Sequence, residues 1–194
     1  MKVLKALFIV ALAIVATFAL IGVFLPKVAT VERSTTIAAT PETVYALVDG
    51  FKRFNEWSPW ASLDPATKYA YSGPERGVGA RMEWSSDNPD VGNGSQEIIA
   101  AEPGRSVTST LDLGMDTPTT TTMVLAPEGT GTRATWTLKS DFSGSLVGRY
   151  FGLALDGMVG PDYEKGLAKL KALAESAQAP SPTGQVTPVP PMPQ

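Results

Sequence analysis

Neither cysteine nor histidine occurs anywhere in this 194-residue chain. Without cysteine there is no disulfide framework, no thiol nucleophile and no thiolate-held metal. Without histidine the commonest general base and the commonest transition-metal ligand are missing as well. Acid–base chemistry here is left to Asp, Glu, Tyr, Lys or Arg. Charge is also scarce, with 16 basic residues against 19 acidic ones. Lys2 and Lys5 aside, the balance is 14 against 19 with no basic cluster, which makes the chain a poor partner for nucleic acid. No glycine-rich phosphate loop is present, because Gly92-Asn93-Gly94 reads as a hairpin turn between strands. Asp87, Asn88 and Asp90 are interrupted by Pro89 and do not match a calcium loop. No metal and no cofactor is expected.

What the chain does have begins at once. From Val3 to Leu25 only Lys5 and Thr17 interrupt an apolar run, and Ala6 to Leu25 carries no charge. About 20 such residues cross a bilayer core as a helix. Lys2, Lys5 and the amino terminus favour a cytoplasmic start. Residues 1–26 therefore read as an uncleaved single-pass anchor in the cell (inner) membrane, with everything after Pro26 on the extracytoplasmic, periplasmic side. A cleaved signal peptide is the rival, but its apolar region is usually about 7–15 residues long, and Phe24-Leu25-Pro26-Lys27 is a poor cleavage context. At the opposite end, Ala179 to Gln194 is proline-rich and has no charged or aromatic side chain. It is expected to be a solvated, disordered tail, although Val189-Pro190-Pro191-Met192-Pro193 has the look of a ligand for a proline-binding module.

Between these lies the domain, residues 27–178. Val31 to Ala38 reads as a strand. Thr40 then caps a helix whose first turn holds Pro41, and Val44, Leu47 and Val48 form its apolar face. Gly50 ends that helix. A second short amphipathic piece, Phe51 to Trp57, stops at Ser58-Pro59. The next stretch alternates with the period of strands: Lys68–Ser72 weakly, then Ala80, Met82 and Trp84, Ser95–Ala101, Val107 to Leu113, Thr119–Ala126, and Ala134, Trp136 and Leu138. Short connections between consecutive strands predict an antiparallel meander. Pro161 is expected to open the last helix, on which Tyr163, Leu167, Leu170 and Ala174 make one stripe. Gly148, Gly152, Gly157 and Gly160 predict a loose or kinked lead-in over Tyr150–Val159.

A strand, two short helices, six strands and a long helix is the helix-grip order of the α+β class. The residues resemble the START-like superfamily of polyketide cyclases, dehydrases and lipid-transport domains. The segment ATPETVYALVDGFKRFNEWSPW is similar to the family's opening helix and its Phe-x-x-Trp-x-x-Trp run. Leu155 to Lys171 resembles the terminal helix of bacterial members, and Gly131-Thr132-x-x-Thr135-Trp136 is similar to a family turn and strand. The resemblance implies a curved antiparallel sheet wrapped around the long helix, with a ligand cavity between them. It places Trp57 and Trp60 at the mouth, and Met82, Trp84, Trp136, Tyr150 and Tyr163 on the walls, each with ordinary core packing as its alternative. Asp156, a carboxylate in an apolar run, is expected to face that cavity with a raised pKa or to cap the chain among the neighbouring glycines. Arg149 is its potential partner or a surface residue. Arg81 and Glu83, opposite Met82 and Trp84, point to solvent. The implied function is binding of a lipid or other hydrophobic small molecule. The alternatives are a cyclase- or dehydrase-type enzyme using the same cavity, or a non-catalytic envelope scaffold.

Overall fold

The computed structural model describes residues 2–178, so the proline-rich segment 179–194 lies outside the described residues. Helix α1 (Lys2–Phe24) leads into strand β1 (Val28–Ile37) and the short helices α2 (Pro41–Val48) and α3 (Phe54–Trp57). Six strands follow: β2 (Lys68–Ser72), β3 (Arg81–Ser85), β4 (Asn93–Glu102), β5 (Ser106–Asp112), β6 (Thr119–Glu128) and β7 (Gly131–Asp141). Helix α4 (Leu146–Gln178) closes the fold.

All seven strands form one antiparallel sheet in the order β1-β7-β6-β5-β4-β3-β2. The chain lays β1 on one edge, crosses to the far edge through α2 and α3, and meanders back until β7 pairs with β1. A bulge between Ile98 and Ala100 bends β4, which adds to the sheet's curl. Local chemistry accounts for the crossing. The Thr43 N–H donates to the Thr40 hydroxyl, Pro41 occupies the first turn, and Val44, Leu47 and Val48 are buried. The second helix is shorter than its sequence pattern predicts, a single turn from Phe54, because Phe51 is spent in the core before the turn begins.

The inward residues of the alternating strands, Met82, Val107, Met123, Leu125, Ala134 and Trp136 among them, are buried. The C-terminal half of α4 meets them with Tyr163, Leu167, Leu170 and Ala174, all nearly inaccessible to solvent. Pro161 does not open this helix. It lies inside one continuous helix, which corrects the expectation of a loose lead-in. A proline ordinarily forces the preceding residue out of the helical region by clashing with its Cβ. Here the preceding residue is Gly160, which has none.

Gly160 has a second duty. Arg33 from β1 lies across it so closely that a Cβ would overlap the guanidinium. From there Arg33 donates to Asp156 at 2.8 and 3.1 Å and to Glu164 at 2.7 Å, carboxylates one turn on either side of Gly160. The fork braces the turn that the proline weakens.

Candidate functional site

The curl of the sheet leaves a cavity of about 380 Å³ beneath α4. Strands β2 to β7 all contribute side chains, and α4 roofs it with Phe151, Leu155, Met158, Val159 and Tyr163. Five of the sequence-predicted residues line it: Trp60, Met82, Trp84, Trp136 and Tyr163. Three do not. Trp57 is buried on the far side of Trp136, its indole N–H donating to the Leu47 carbonyl at 3.1 Å. It meets Trp136 edge-on with ring centres 5.2 Å apart, so it supports the wall from behind. Tyr150 turns away to stack on Phe18 of α1 at 3.9 Å. Asp156 is paired with Arg33 outside the cavity, and this hydrogen bond holds its carboxyl below the usual range rather than above it. Both expectations for Asp156, a cavity-facing carboxylate and a local cap, give way to this ion pair. Arg149 is neither its partner nor a surface residue, and is buried.

The inner wall is an aromatic stack. Trp136 and Tyr163 lie face to face with ring centres 3.7 Å apart and an interplanar angle of 9°. Trp60 meets both edge-on, at 6.1 and 6.4 Å. Close contact of the strand with α4 at this point requires Gly166, because a Cβ there would press on the Trp136 ring and Pro59. Several polar groups of the wall are engaged with one another. The Trp136 indole N–H donates to the Thr121 hydroxyl at 2.7 Å, and that hydroxyl lies 3.2 Å from the Tyr163 phenol. Burial pushes the Tyr163 phenol well above its ordinary value. Gln96 donates to Ser109 at 2.9 Å, and Thr119 meets Ser140 at 3.1 Å. Thr117, Thr119 and Thr121 leave a line of hydroxyls along the β6 side of an otherwise apolar chamber.

Asp90, on the β3–β4 turn, is the single charged residue among those lining the cavity. The arrangement is therefore suited to enclosing an apolar body and offering it a few hydrogen bonds. No group of three or more Asp or Glu residues among the described residues is placed to hold a metal ion. The sequence reading missed Phe54, Leu111 and the α4 roof residues Phe151, Leu155 and Met158. Phe54 had a signal, since it begins the Phe-x-x-Trp-x-x-Trp run. The roof residues were hidden by the glycines around them.

Comparison with known proteins agrees with this geometry. The family described as polyketide cyclase / dehydrase and lipid transport matches residues 28–175. No protein of curated function matches the sequence. Among solved structures, protein MLL2253 from Mesorhizobium loti is 21% identical, with a TM-score of 0.56 over 77% of this chain and 99% of that one. A point mutant of Thalictrum flavum norcoclaurine synthase, bound to a transition-state analogue, is 11% identical, with a TM-score of 0.58 over 78% of this chain and 97% of the synthase. The di-domain ARO/CYC protein StfQ of the steffimycin pathway is 13% identical, with a TM-score of 0.56 over 77% of this chain and 51% of StfQ. At such identities the likeness extends to the fold alone.

Proposed function

The chain belongs to the polyketide cyclase/dehydrase and lipid transport family, and from that premise we propose that it is a membrane-anchored, extracytoplasmic binding domain for a lipid or other hydrophobic small molecule. The observation that carries this reading is the cavity under α4, whose size falls within the range of about 300–1,000 Å³ usual for small-molecule sites. Its walls are mainly aromatic and aliphatic, and several of its polar groups pair with one another. Helix α1 is long and apolar enough to cross a membrane and is almost wholly exposed, as a core helix of a soluble protein would not be. We place its N-terminus in the cytoplasm and the domain outside, on the strength of Lys2 and Lys5.

The enzymatic alternative has less to work with. A general acid or base must reach the substrate with a pKa near the working pH. The Tyr163 phenol is pushed far from neutrality by burial, and Asp90 is exposed at the rim.

The test is a titration of the purified full chain with cis-parinaric acid, following energy transfer from tryptophan, alongside native mass spectrometry for co-purified ligand. Saturable transfer is expected, and Trp60→Ala should weaken it without unfolding the domain. Trp57→Ala is the wrong probe, because that indole is core and its loss costs about 3–5 kcal/mol. No uptake of any acyl chain and no co-purified ligand would end the binding reading and move the scaffold alternative ahead.

A further inference from the structure

Helix α1 is not loosely tethered to the domain. Only Leu25, Pro26 and Lys27 separate it from β1, and the Phe142 N–H donates to the Lys27 carbonyl at 2.7 Å. Arg149 of α4 donates to the Gly22 and Val23 carbonyls, both at 3.1 Å, and to the Ser143 carbonyl at 3.2 Å. The last carbonyls of a helix have no partner within it, and a cation there also meets the negative end of the helix dipole. Arg149 thus caps α1 from the neighbouring helix. One turn earlier, the Tyr150 hydroxyl donates to the Phe18 carbonyl at 2.6 Å while the two rings stack. The end of the apolar span is fixed to the first turn of α4.

That first half of α4 is unusual for an exposed helix. Its two charged residues are both partnered, Arg149 with α1 in the interior and Asp156, at the surface, with Arg33. Asp156 aside, its exposed large side chains are apolar: Val147, Phe151, Leu153 and Met158 are all 40–70% exposed. Val147, Phe151 and Met158 follow helical spacing on one face, and the latter two are also rim residues of the cavity. Leu113 and Met115, on the β5–β6 connection, are exposed rim residues as well. Antiparallel register puts that connection at the end of the sheet where α1 joins, since Asp141 pairs with Val28 and its N–H donates to the Pro118 carbonyl. The exposed apolar surface, the cavity rim and the exit of α1 share one end of the molecule.

We propose that this end rests in the boundary between headgroups and acyl chains of the same bilayer that holds α1, so that the cavity mouth opens onto lipid rather than water. The proposal rests on reading α1 as a membrane span. Contact is driven by apolar surface, because no Lys or Arg is among the residues lining the cavity, and it should therefore persist in high salt.

The absence of cysteine makes the test clean. Val147→Cys, Met158→Cys and Met115→Cys, each carrying an NBD fluorophore, are placed singly in the full chain and reconstituted into nanodiscs. Ala126→Cys, exposed at the opposite end of the sheet, is the control. Doxyl-labelled phospholipid should remove most of the emission at the first three positions and little at the control, equally in low and high salt. Three wet, unquenched positions would overturn the proposal. So would positions shielded from aqueous iodide yet untouched by doxyl lipid, which would mean that a second copy of the chain covers this face. Uptake of parinaric acid is scored separately. Quenching without uptake would sustain the membrane contact and remove the binding reading, whereas uptake with a wet face would do the reverse.

Discussion

The two halves of α4 differ in how many charges they carry, two over residues 146–160 against six over residues 161–178, and they have opposite fates. From Tyr163 onward, Leu167, Leu170 and Ala174 bury one stripe completely against the sheet, while Lys165 and Glu164 stay outside. Up to Gly160, Arg149, Leu155 and Gly160 are buried, and Val147, Leu153 and Met158 remain exposed. A helix with one apolar face belongs on a protein core, and one that is apolar nearly all round needs a second apolar medium. The difference teaches that hydrophobicity alone does not say where a helix packs. The distribution of its few charges does.

The sharpest way to break this comparison is truncation. Leu167→Ala or Leu170→Ala should cost about 2–5 kcal/mol in chemical denaturation, as for other buried leucines. Leu153→Ser should stay within about 0.5 kcal/mol, as exposed positions do. Equal effects in both halves would show that they are not differently packed. Next in size is Arg149→Met, which strips the cap from α1. Leaving buried carbonyls unpaired costs about 1–3 kcal/mol, and the Phe18–Tyr150 contact should loosen, read as faster proteolysis between Leu25 and Val28. An unchanged cleavage rate would mean that the stacking alone holds α1.

Tyr163→Phe should cost about 0.5–1.5 kcal/mol through its lost hydrogen bond with Thr121. The wild-type phenol favours its neutral form in the fold. Its contribution is therefore intact below the ordinary phenol range and is lost as pH rises through the raised value. In an absorbance titration, one tyrosine of the 5 should ionise only with unfolding. The smallest effect is expected at Asp156→Asn, since that carboxylate is well exposed. Its pKa is lowered in the fold, so the pair with Arg33 stabilises above the ordinary carboxylate range and fades as pH falls through the depressed value. Wild type and variant should differ slightly in Tm at neutral pH and converge in acid. A difference that persists in acid would assign the effect to packing at the Gly160 turn.

By itself, the sequence determined the order of elements. Alternation of period two reports a half-buried strand wherever it falls, and Met82/Trp84, Thr121/Met123/Leu125 and Ala134/Trp136/Leu138 all occupy strands close to where they read. The cap at Thr40 and the stripe from Tyr163 to Ala174 were legible for the same reason, because both are local. Of the five candidates that line the cavity, Met82, Trp84, Trp136 and Tyr163 lie on strand or helix faces that periodicity predicts, while Trp60 came from the family resemblance. The remainder depended on contacts between residues far apart in the chain. Asp156 read as a carboxylate stranded in an apolar run, and only the approach of Arg33, 123 residues away, gave it a partner outside the cavity. Pro161 read as a start, and only the absence of a Cβ at Gly160, with Arg33 laid across it, kept the helix continuous. Tyr150 read as wall, and Arg149 as a partner of Asp156 or a surface residue, until α1 arrived beside them. Periodicity tells a side chain which way to face along its own element. What waits on that side is decided by which elements the fold brings together, because an ion pair, a cap or a close approach exists only between two partners.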